Sequence, residues 1–160
     1  MSFINVYVHF VWATKNRYPY LNSSELRTML WKHIKENGDA KGIFIDFVGG
    51  YEDHCHCLVS MKGDQTIQQI ARLIKGESSH WINMHQLTRE HFVWQSEFYA
   101  IAVCETAIVS VRNYIRNQEA HHSNKRKPKK SRSYFEPIDD PPEQKTMQKI
   151  TINMDQSDTE

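Results

Sequence analysis

The chain has 160 residues, of which 39% are hydrophobic and 24% charged, a composition typical of one soluble globular domain. The formal net charge of +1 gives the whole chain neither acidic nor basic character, so it is little guide to a partner. No segment approaches the roughly 20 consecutive apolar residues of a membrane helix, and residues 1–12 lack the basic region and cleavage site of a signal peptide. Three cysteines without a framework spacing indicate reduced thiols, so we expect a cytoplasmic protein with no membrane partner.

The first forty residues predict a strand followed by a helix. Residues 3–13 are rich in β-branched and aromatic side chains, which favours a central strand, and the polar residues 14–22 form a connection. Ser23 or Ser24 can cap a helix whose apolar residues recur at helical spacing. The pair Asn37-Gly38 is predicted to end that helix.

The next eighty residues predict three more strands and two more helices. Residues 43–50 and 54–61 are short strands, and residues 51–53 between them form a hairpin turn. Thr66 begins a second amphipathic helix that reaches toward Trp81, residues 98–104 are a strand, and a helix runs from residue 107 to about residue 121. The order β-α-β-β-α-β plus a C-terminal helix predicts an α+β fold with a ferredoxin-like, split βαβ sheet.

The residues after Ser123 differ in composition from the rest of the chain. Residues 125–132 form a dense basic cluster, and residues 136–160 are predominantly acidic. We therefore expect one domain over residues 1–123, followed by a charged tail over residues 124–160 that is flexible or ordered by a partner. The basic cluster either contacts nucleic acid or is a solvated, disordered segment.

The sequence His54-Cys55-His56 begins the third predicted strand. Because strand side chains alternate between faces, His54 and His56 point to one face while Cys55 and Cys57 point to the other. Two imidazoles on one face provide two nitrogen ligands for a divalent cation. Two alternatives stay open: ordinary surface or packed histidines, and a structural zinc site that also uses the cysteines. The zinc site needs four convergent ligands, which the alternation of faces opposes.

The last predicted helix carries a second candidate pair. Ile108, Val111 and Ile115 form its buried stripe, and Tyr114 and Gln118 lie one turn apart on the edge of that stripe. Because this helix must pack on the same small sheet as the paired histidines, a phenol and an amide oxygen on its edge could reach one metal site. The alternative is that Tyr114 is a packed aromatic residue and Gln118 a solvated one.

These residues resemble the HUH-type single-tyrosine transposases of bacterial insertion sequences, the insertion-sequence 200/605 or IS200-like group. HUH denotes His, a hydrophobic residue and His, and here it reads His54-Cys55-His56, with Cys55 in the hydrophobic position. The family's catalytic tyrosine lies in a late helix with a glutamine four residues further on, which Tyr114 and Gln118 match. Residues 8–17 are similar to the family's opening strand and basic turn, so the resemblance extends from about residue 3 to about residue 122.

The resemblance implies a transposase that cleaves and rejoins single-stranded DNA at the ends of an insertion sequence. It implies that His54, His56 and Gln118 hold a divalent metal, Mg²⁺ or Mn²⁺, and that the last helix carries the catalytic Tyr114. The tyrosine would form a covalent 5′-phosphotyrosine intermediate, which the hydroxyl of another DNA end then attacks. Because the bond energy is kept in that intermediate, no nucleotide cofactor is expected.

The partners that the resemblance implies are single-stranded DNA with hairpin ends and a second copy of the chain, since family members act as homodimers. Four basic residues are candidate phosphate contacts, although each taken singly is more often a solvated charge: Lys15, Arg17, Arg72 and Lys75.

Three other functions stay open. The first is another HUH endonuclease, such as a replication initiator or a relaxase, although relaxases usually have a larger chain and a third metal histidine. The second is a non-catalytic nucleic-acid-binding module of the same fold. The third is a small metal-binding regulator that uses histidine and cysteine.

Overall fold

In the computed structural model, which describes residues 3–123, the first six elements follow the predicted order β-α-β-β-α-β. Two short helices follow the last strand, and single 3₁₀ turns lie at Lys15–Arg17 and Glu105–Ala107. The elements are β1 Val6–Ala13, α1 Ser24–Ala40, β2 Phe44–Tyr51, β3 His54–Met61, α2 Ile67–Met84, β4 Tyr99–Val103, α3 Ile108–Arg116 and α4 Gln118–Ser123.

The four strands form one antiparallel sheet in the order β2-β3-β1-β4. This order confirms the split βαβ fold, because each helix returns the chain to a strand that is not the neighbour of the one before it. The prediction that the first strand is central is also confirmed, since β1 pairs with β3 on one side and with β4 on the other. The strand begins at Val6 rather than at residue 3.

The two faces of the sheet are covered by different helices. On the first face, α1 and α2 pack over the apolar side chains of β1 and β3, and the fully buried Cys55 and Cys57 belong to this core. On the second face, α3 packs through Val111 and Ile115 against Leu58 of β3. Strand alternation therefore separates the cysteines from the histidines, as predicted. Within residues 3–123, no helix combines the length and the apolar character needed to cross a membrane.

The two long helices start at the predicted positions, and each start is capped by a side chain. The side chain of Ser23 accepts a hydrogen bond from the backbone N–H of Leu26 at the start of α1. Thr66 and Gln69 form a reciprocal capping box at the start of α2. Both caps lie directly before the first helical turn, so α1 and α2 begin where the sequence predicted.

The predicted end of α1 was wrong. The helix continues through Gly38 to Ala40, and the chain turns at Gly42, which has a φ of +72°. Gly38 serves a different purpose, since a Cβ there would lie 2.6 Å from Cδ1 of Ile45 on β2. The glycine permits close packing of α1 on the sheet, and Gly42 supplies the left-handed backbone that ends the helix.

The predicted single helix over residues 107–121 was also wrong, because it is divided at Asn117. That residue has φ −88° and ψ 8°, and its N–H donates to the carbonyl of Asn113. Tyr114 therefore lies on α3 and Gln118 on α4, on opposite sides of the break. The predicted tail over residues 124–160, with its basic cluster, lies outside the described residues.

Candidate active site

Three histidines and one glutamine are buried on the second face of the sheet. His54 and His56 extend from β3, His9 from β1, and Gln118 from α4, and each side chain is at most 2% exposed. Tyr114 of α3 lies beside them and is half-buried. The structure thus brings together the four residues that the sequence singled out, and the roles of those residues stay predictions.

His54 is oriented by the residue before it. Its Nδ1 lies 2.7 Å from Oδ1 of Asp53, whose other carboxylate oxygen accepts a hydrogen bond from Arg17. Burial raises the pKa of Asp53, but the hydrogen bond from His54 and the charges of His54 and Arg17 outweigh it and lower the pKa to about 2. The carboxylate is therefore ionised at neutral pH and accepts only, so Nδ1 of His54 carries a proton.

The opposite nitrogen of His54 faces Gln118. Nε2 of His54 lies 3.2 Å from Oε1 of Gln118, while the Nε2 amide group of Gln118 donates to the carbonyl of Tyr114. A neutral His54 with its proton on Nδ1 presents a lone pair to the amide oxygen, which is also an acceptor. Two acceptors at this distance need a proton or a cation between them.

His56 offers a second nitrogen. Its Nδ1 lies 3.0 Å from Nε2 of His9, and within residues 3–123 its buried Nε2 has no hydrogen-bond partner. Burial lowers the pKa of His56 well below its ordinary value, and the nearby His54 and His9 lower it further. Burial also lowers the pKa of His9 to about 4. Both rings are therefore neutral at neutral pH, which is the form in which imidazole binds metals.

The donor set fits a divalent metal of the kind that the resemblance implies. Two imidazole nitrogens and an amide oxygen suit Mn²⁺ well and Mg²⁺ acceptably. The buried Nε2 of His56, which has no hydrogen-bond partner among residues 3–123, and the Nε2 of His54 that faces an amide oxygen are features expected where such an ion binds. The part of the chain that the structure describes holds no group of three or more His, Cys, Asp or Glu side chains arranged for a metal.

Tyr114 contacts the histidines through its ring. The ring lies edge-on to His56, with 5.6 Å between the centroids, and edge-on to His9 at 6.3 Å. The ring of Tyr114 therefore lies next to the second candidate ligand, His56, and it also packs against the apolar cluster of α3. A nucleophile could occupy this position, and so could a tyrosine that only packs.

The helix pair α3 and α4 is anchored to the rest of the domain by ion pairs. Arg112 of α3 donates two hydrogen bonds to Asp46 of β2, at 2.6 and 2.8 Å. The buried Arg27 of α1 donates to Glu119 of α4 at 2.9 Å and to the carbonyl of Leu21 at 2.7 Å. These contacts fix both helices over the sheet, so they hold Tyr114 and Gln118 beside the histidines of the same chain.

The four basic residues predicted to contact phosphate occupy two separate places. Lys15 and Arg17 lie in the turn after β1, where Arg17 is paired with Asp53 at 2.9 Å. Arg72 and Lys75 line a groove of about 550 Å³ between α2 and residues 91–98, where Lys75 donates to backbone carbonyls. Since α2 covers the first face, this groove and the histidines lie on opposite sides of the sheet.

Sequence reasoning missed two residues of the site, His9 and Asp53. His9 is a lone histidine between Val8 and Phe10 in an apolar strand, and that interruption was the available signal. Asp53 directly precedes His54 and was assigned only to the hairpin turn. Neither could be connected to the histidine pair without the register of the strands.

Comparisons with known proteins place this chain in a family. The family model described as "Transposase IS200 like" matches residues 2–118. No curated protein sequence matches the chain.

Two solved structures share the fold. One is a proposed transposase from Deinococcus radiodurans R1, with 20% identity, a TM-score of 0.58, and coverage of 73% of this chain and 93% of that chain. The other is a REP-associated tyrosine transposase bound to a REP hairpin, with 18% identity, a TM-score of 0.56, and coverage of 76% of this chain and 71% of that chain.

Proposed function

This chain belongs to the IS200-like transposase family, and we propose that it cleaves and rejoins single-stranded DNA through a covalent 5′-phosphotyrosine formed by Tyr114. The observation that supports the proposal is the position of Tyr114 beside His56, on the face where His54 and Gln118 meet. A phenol next to a cluster of metal-binding nitrogen and oxygen atoms suits phosphoryl transfer to tyrosine.

The proposed metal ligands are Nε2 of His54, Nε2 of His56 and Oε1 of Gln118. When bound, a divalent ion, Mg²⁺ or Mn²⁺, supplies charge neutralisation at a phosphate oxygen. The chain itself prepares the ligands: Asp53 keeps the proton of His54 on Nδ1, and the carbonyl of Tyr114 holds the Gln118 amide so that its oxygen faces His54. The amide oxygen is a neutral ligand, which leaves more positive charge for the phosphate than a carboxylate would.

The chemical step is a transesterification with a balanced exchange of bonds. Oη of Tyr114 gives up its proton and forms a bond to phosphorus, while the bond from phosphorus to the 3′ oxygen breaks. The departing 3′ oxygen takes up a proton and becomes a free hydroxyl. The 3′ hydroxyl of another DNA end then attacks the phosphotyrosine and releases the phenol, so the number of phosphoester bonds is unchanged.

Positioning is the main contribution of the fold to this step. Phosphoryl transfer depends on an aligned nucleophile and phosphate. The ion pairs of Arg112 with Asp46 and of Arg27 with Glu119 hold α3 and α4 against the sheet. They support an arrangement in which Tyr114 acts beside the histidines of its own chain.

We propose hairpin ends of a mobile element as the substrate, with a homodimer as the acting species. One protein of similar fold was solved with a bound REP hairpin, which supports a hairpin substrate here. Lys15 and Arg17 are the candidate phosphate contacts on the turn after β1, which lies beside Asp53. Arg72 and Lys75 would contact DNA in the groove on the other side of the sheet.

The test uses single-stranded oligonucleotides that tile both strands of the DNA flanking the coding sequence. Each oligonucleotide is incubated with the full chain in Mn²⁺, in Mg²⁺ or in EDTA, and the products are separated under denaturing conditions. We expect one or a few oligonucleotides to form a protein adduct that carries the 3′ label, and to release a 5′-labelled fragment with a free 3′ hydroxyl. The same sequence as a fully paired duplex is the control.

The outcomes separate the proposal from its alternatives. A non-catalytic nucleic-acid-binding module would retain oligonucleotides on a native gel and form no adduct. An adduct with the 5′-labelled fragment would indicate a 3′-phosphotyrosine and contradict the proposed polarity. Equal cleavage in EDTA would show that the reaction needs no divalent metal.

A further inference from the structure

His9 is a polar residue in a central strand of the sheet, β1, and its side chain is 1% exposed. In the strand register His9 is opposite Leu58 and Val11 is opposite His56, so His9 and His56 are diagonal neighbours on one face. Their rings stack with 5.2 Å between centroids and an interplanar angle of 25°, and Nε2 of His9 lies 3.0 Å from Nδ1 of His56. A buried ring held by both stacking and a hydrogen bond has one orientation.

The hydrogen bond between the two rings has two possible directions. If His9 donates, Nδ1 of His56 is the acceptor and the proton of His56 must lie on Nε2. Nε2 is buried and has no hydrogen-bond partner among residues 3–123, so this direction leaves an unsatisfied N–H donor. If His56 donates from Nδ1, its Nε2 carries a lone pair instead, and an unsatisfied acceptor is the less unusual defect in proteins.

We propose that His9 is a positioning residue for His56: it accepts a hydrogen bond from Nδ1–H of His56 and thereby directs the Nε2 lone pair of His56 into the site. The inference rests on the proposed function for its purpose, because a lone pair at that position is useful where a cation binds. The hydrogen-bond direction itself requires neither metal nor DNA.

The roles of His9 and Asp53 are parallel. Asp53 accepts from Nδ1 of His54, and His9 accepts from Nδ1 of His56, so each candidate ligand has its Nδ1 proton fixed by an outer partner. Such partners set both the ring orientation and the tautomer of metal-binding histidines. A neutral imidazole as the partner of His56 adds no negative charge, so it leaves the charge on a bound cation unreduced.

The first test measures the tautomer of His56 in the metal-free protein. In a ¹⁵N-labelled sample, the couplings between ring nitrogens and ring carbon-bound protons show which nitrogen carries the proton. The signal of His56 is assigned from its loss in His56→Gln. We expect Nδ1–H in the wild-type chain, Nδ1–H again in His9→Gln, whose amide oxygen can accept in place of Nε2, and a shift toward Nε2–H in His9→Leu.

The second test measures Mn²⁺ binding by calorimetry in the same variants. Loss of an outer partner typically weakens metal binding about 10–100-fold, so we expect a loss of that size in His9→Leu. His9→Gln should lose much less affinity than His9→Leu, because its amide oxygen keeps the hydrogen bond to Nδ1 of His56. Circular dichroism and the thermal midpoint show whether each variant is folded, and His9→Gln keeps the test valid if His9→Leu is not.

The results distinguish failure of this inference from failure of the proposed function. An Nε2–H tautomer of His56 in the wild-type chain overturns the inference, and so does an unchanged tautomer in a folded His9→Leu. If Mn²⁺ does not bind to the wild-type chain, the metal proposal fails while the tautomer result still decides the direction of the hydrogen bond. A His9 that only fills space would give equal Mn²⁺ affinities in folded His9→Gln and His9→Leu, which also overturns the inference.

Discussion

Replacing Gly49 with alanine is expected to displace α3, the helix that carries Tyr114. Gly49 lies on β2 beneath this helix, and an added Cβ would lie 2.9 Å from Cγ2 of Ile115 and 3.1 Å from its carbonyl oxygen. Neither atom can move alone, because Cγ2 belongs to a β-branched side chain with a stiff χ1 in a helix and the oxygen belongs to the backbone. The helix must therefore shift by a few tenths of an ångström.

The size of the effect follows from this crowding. One extra methyl group in a well-packed site costs about 1–3 kcal/mol. For a domain of this size that corresponds to a fall of roughly 4–12 °C in the thermal midpoint. Misplacement of catalytic groups by up to about 1 Å can reduce rates about a hundredfold. We therefore expect Gly49→Ala to cleave single-stranded hairpin DNA at least tenfold more slowly, while the variant remains folded at 25 °C.

The matched control is Gly76→Ala in α2. Apart from the adjoining residues and backbone of α2 itself, no atom of the described residues lies within 4 Å of a Cβ built at Gly76, so the substitution meets open space. It should raise the free energy of unfolding by about 1 kcal/mol, because alanine favours the helix. A Gly49→Ala variant with the midpoint and the cleavage rate of the wild-type chain would contradict the predicted crowding, and so would equal changes of the midpoint in the two variants.

Three further predictions concern the ligands and the helix anchors. His54→Ala or His56→Ala should lose most Mn²⁺ affinity and all detectable cleavage, whereas Cys55→Val should retain both, since Cys55 is buried on the opposite face. Calorimetric titration with Mn²⁺ measures the affinities. Unchanged Mn²⁺ binding in the histidine variants would show that the two histidines only pack. Gln118→Ala should weaken Mn²⁺ binding and slow cleavage less than loss of either histidine does, because water can replace the amide. Gln118→Glu should bind Mn²⁺ but cleave more slowly. Full activity in Gln118→Ala would contradict the role of Gln118 as a ligand. Arg27→Met removes the hydrogen bonds to Glu119 and to the carbonyl of Leu21. It should therefore lower the free energy of unfolding by about 1–3 kcal/mol and speed amide hydrogen exchange over residues 118–123. Unchanged exchange over these residues would show that another contact holds α4.

Local patterns in the sequence were sufficient for the fold and for much of the candidate site. Alternation along β3 predicted that His54 and His56 share one face and that the cysteines enter the core, and the cap residues predicted the starts of α1 and α2. These features depend only on neighbours in the chain. The predicted set of Tyr114, Gln118 and the two histidines does come together in space.

The features that the sequence did not reveal depend on tertiary packing. His9 reaches His56 only because β1 pairs with β3 in one particular register. Gly38 was interpreted as a helix end, although close approach of Ile45 is what requires it. The break at Asn117 carries no proline or glycine to mark it, so a continuous helix was the natural prediction.

The most direct test of the account is the Tyr114→Phe variant, examined with the oligonucleotide that the wild-type chain cleaves. The substitution keeps the ring that packs against His56 and His9 and removes only the attacking oxygen. We expect hairpin binding on a native gel to be nearly unchanged and the denaturant-resistant adduct to disappear. Proteolysis and mass spectrometry of the wild-type adduct should locate the nucleotide on Tyr114. An adduct that persists in Tyr114→Phe, or that maps to another tyrosine such as Tyr99, would contradict the central claim.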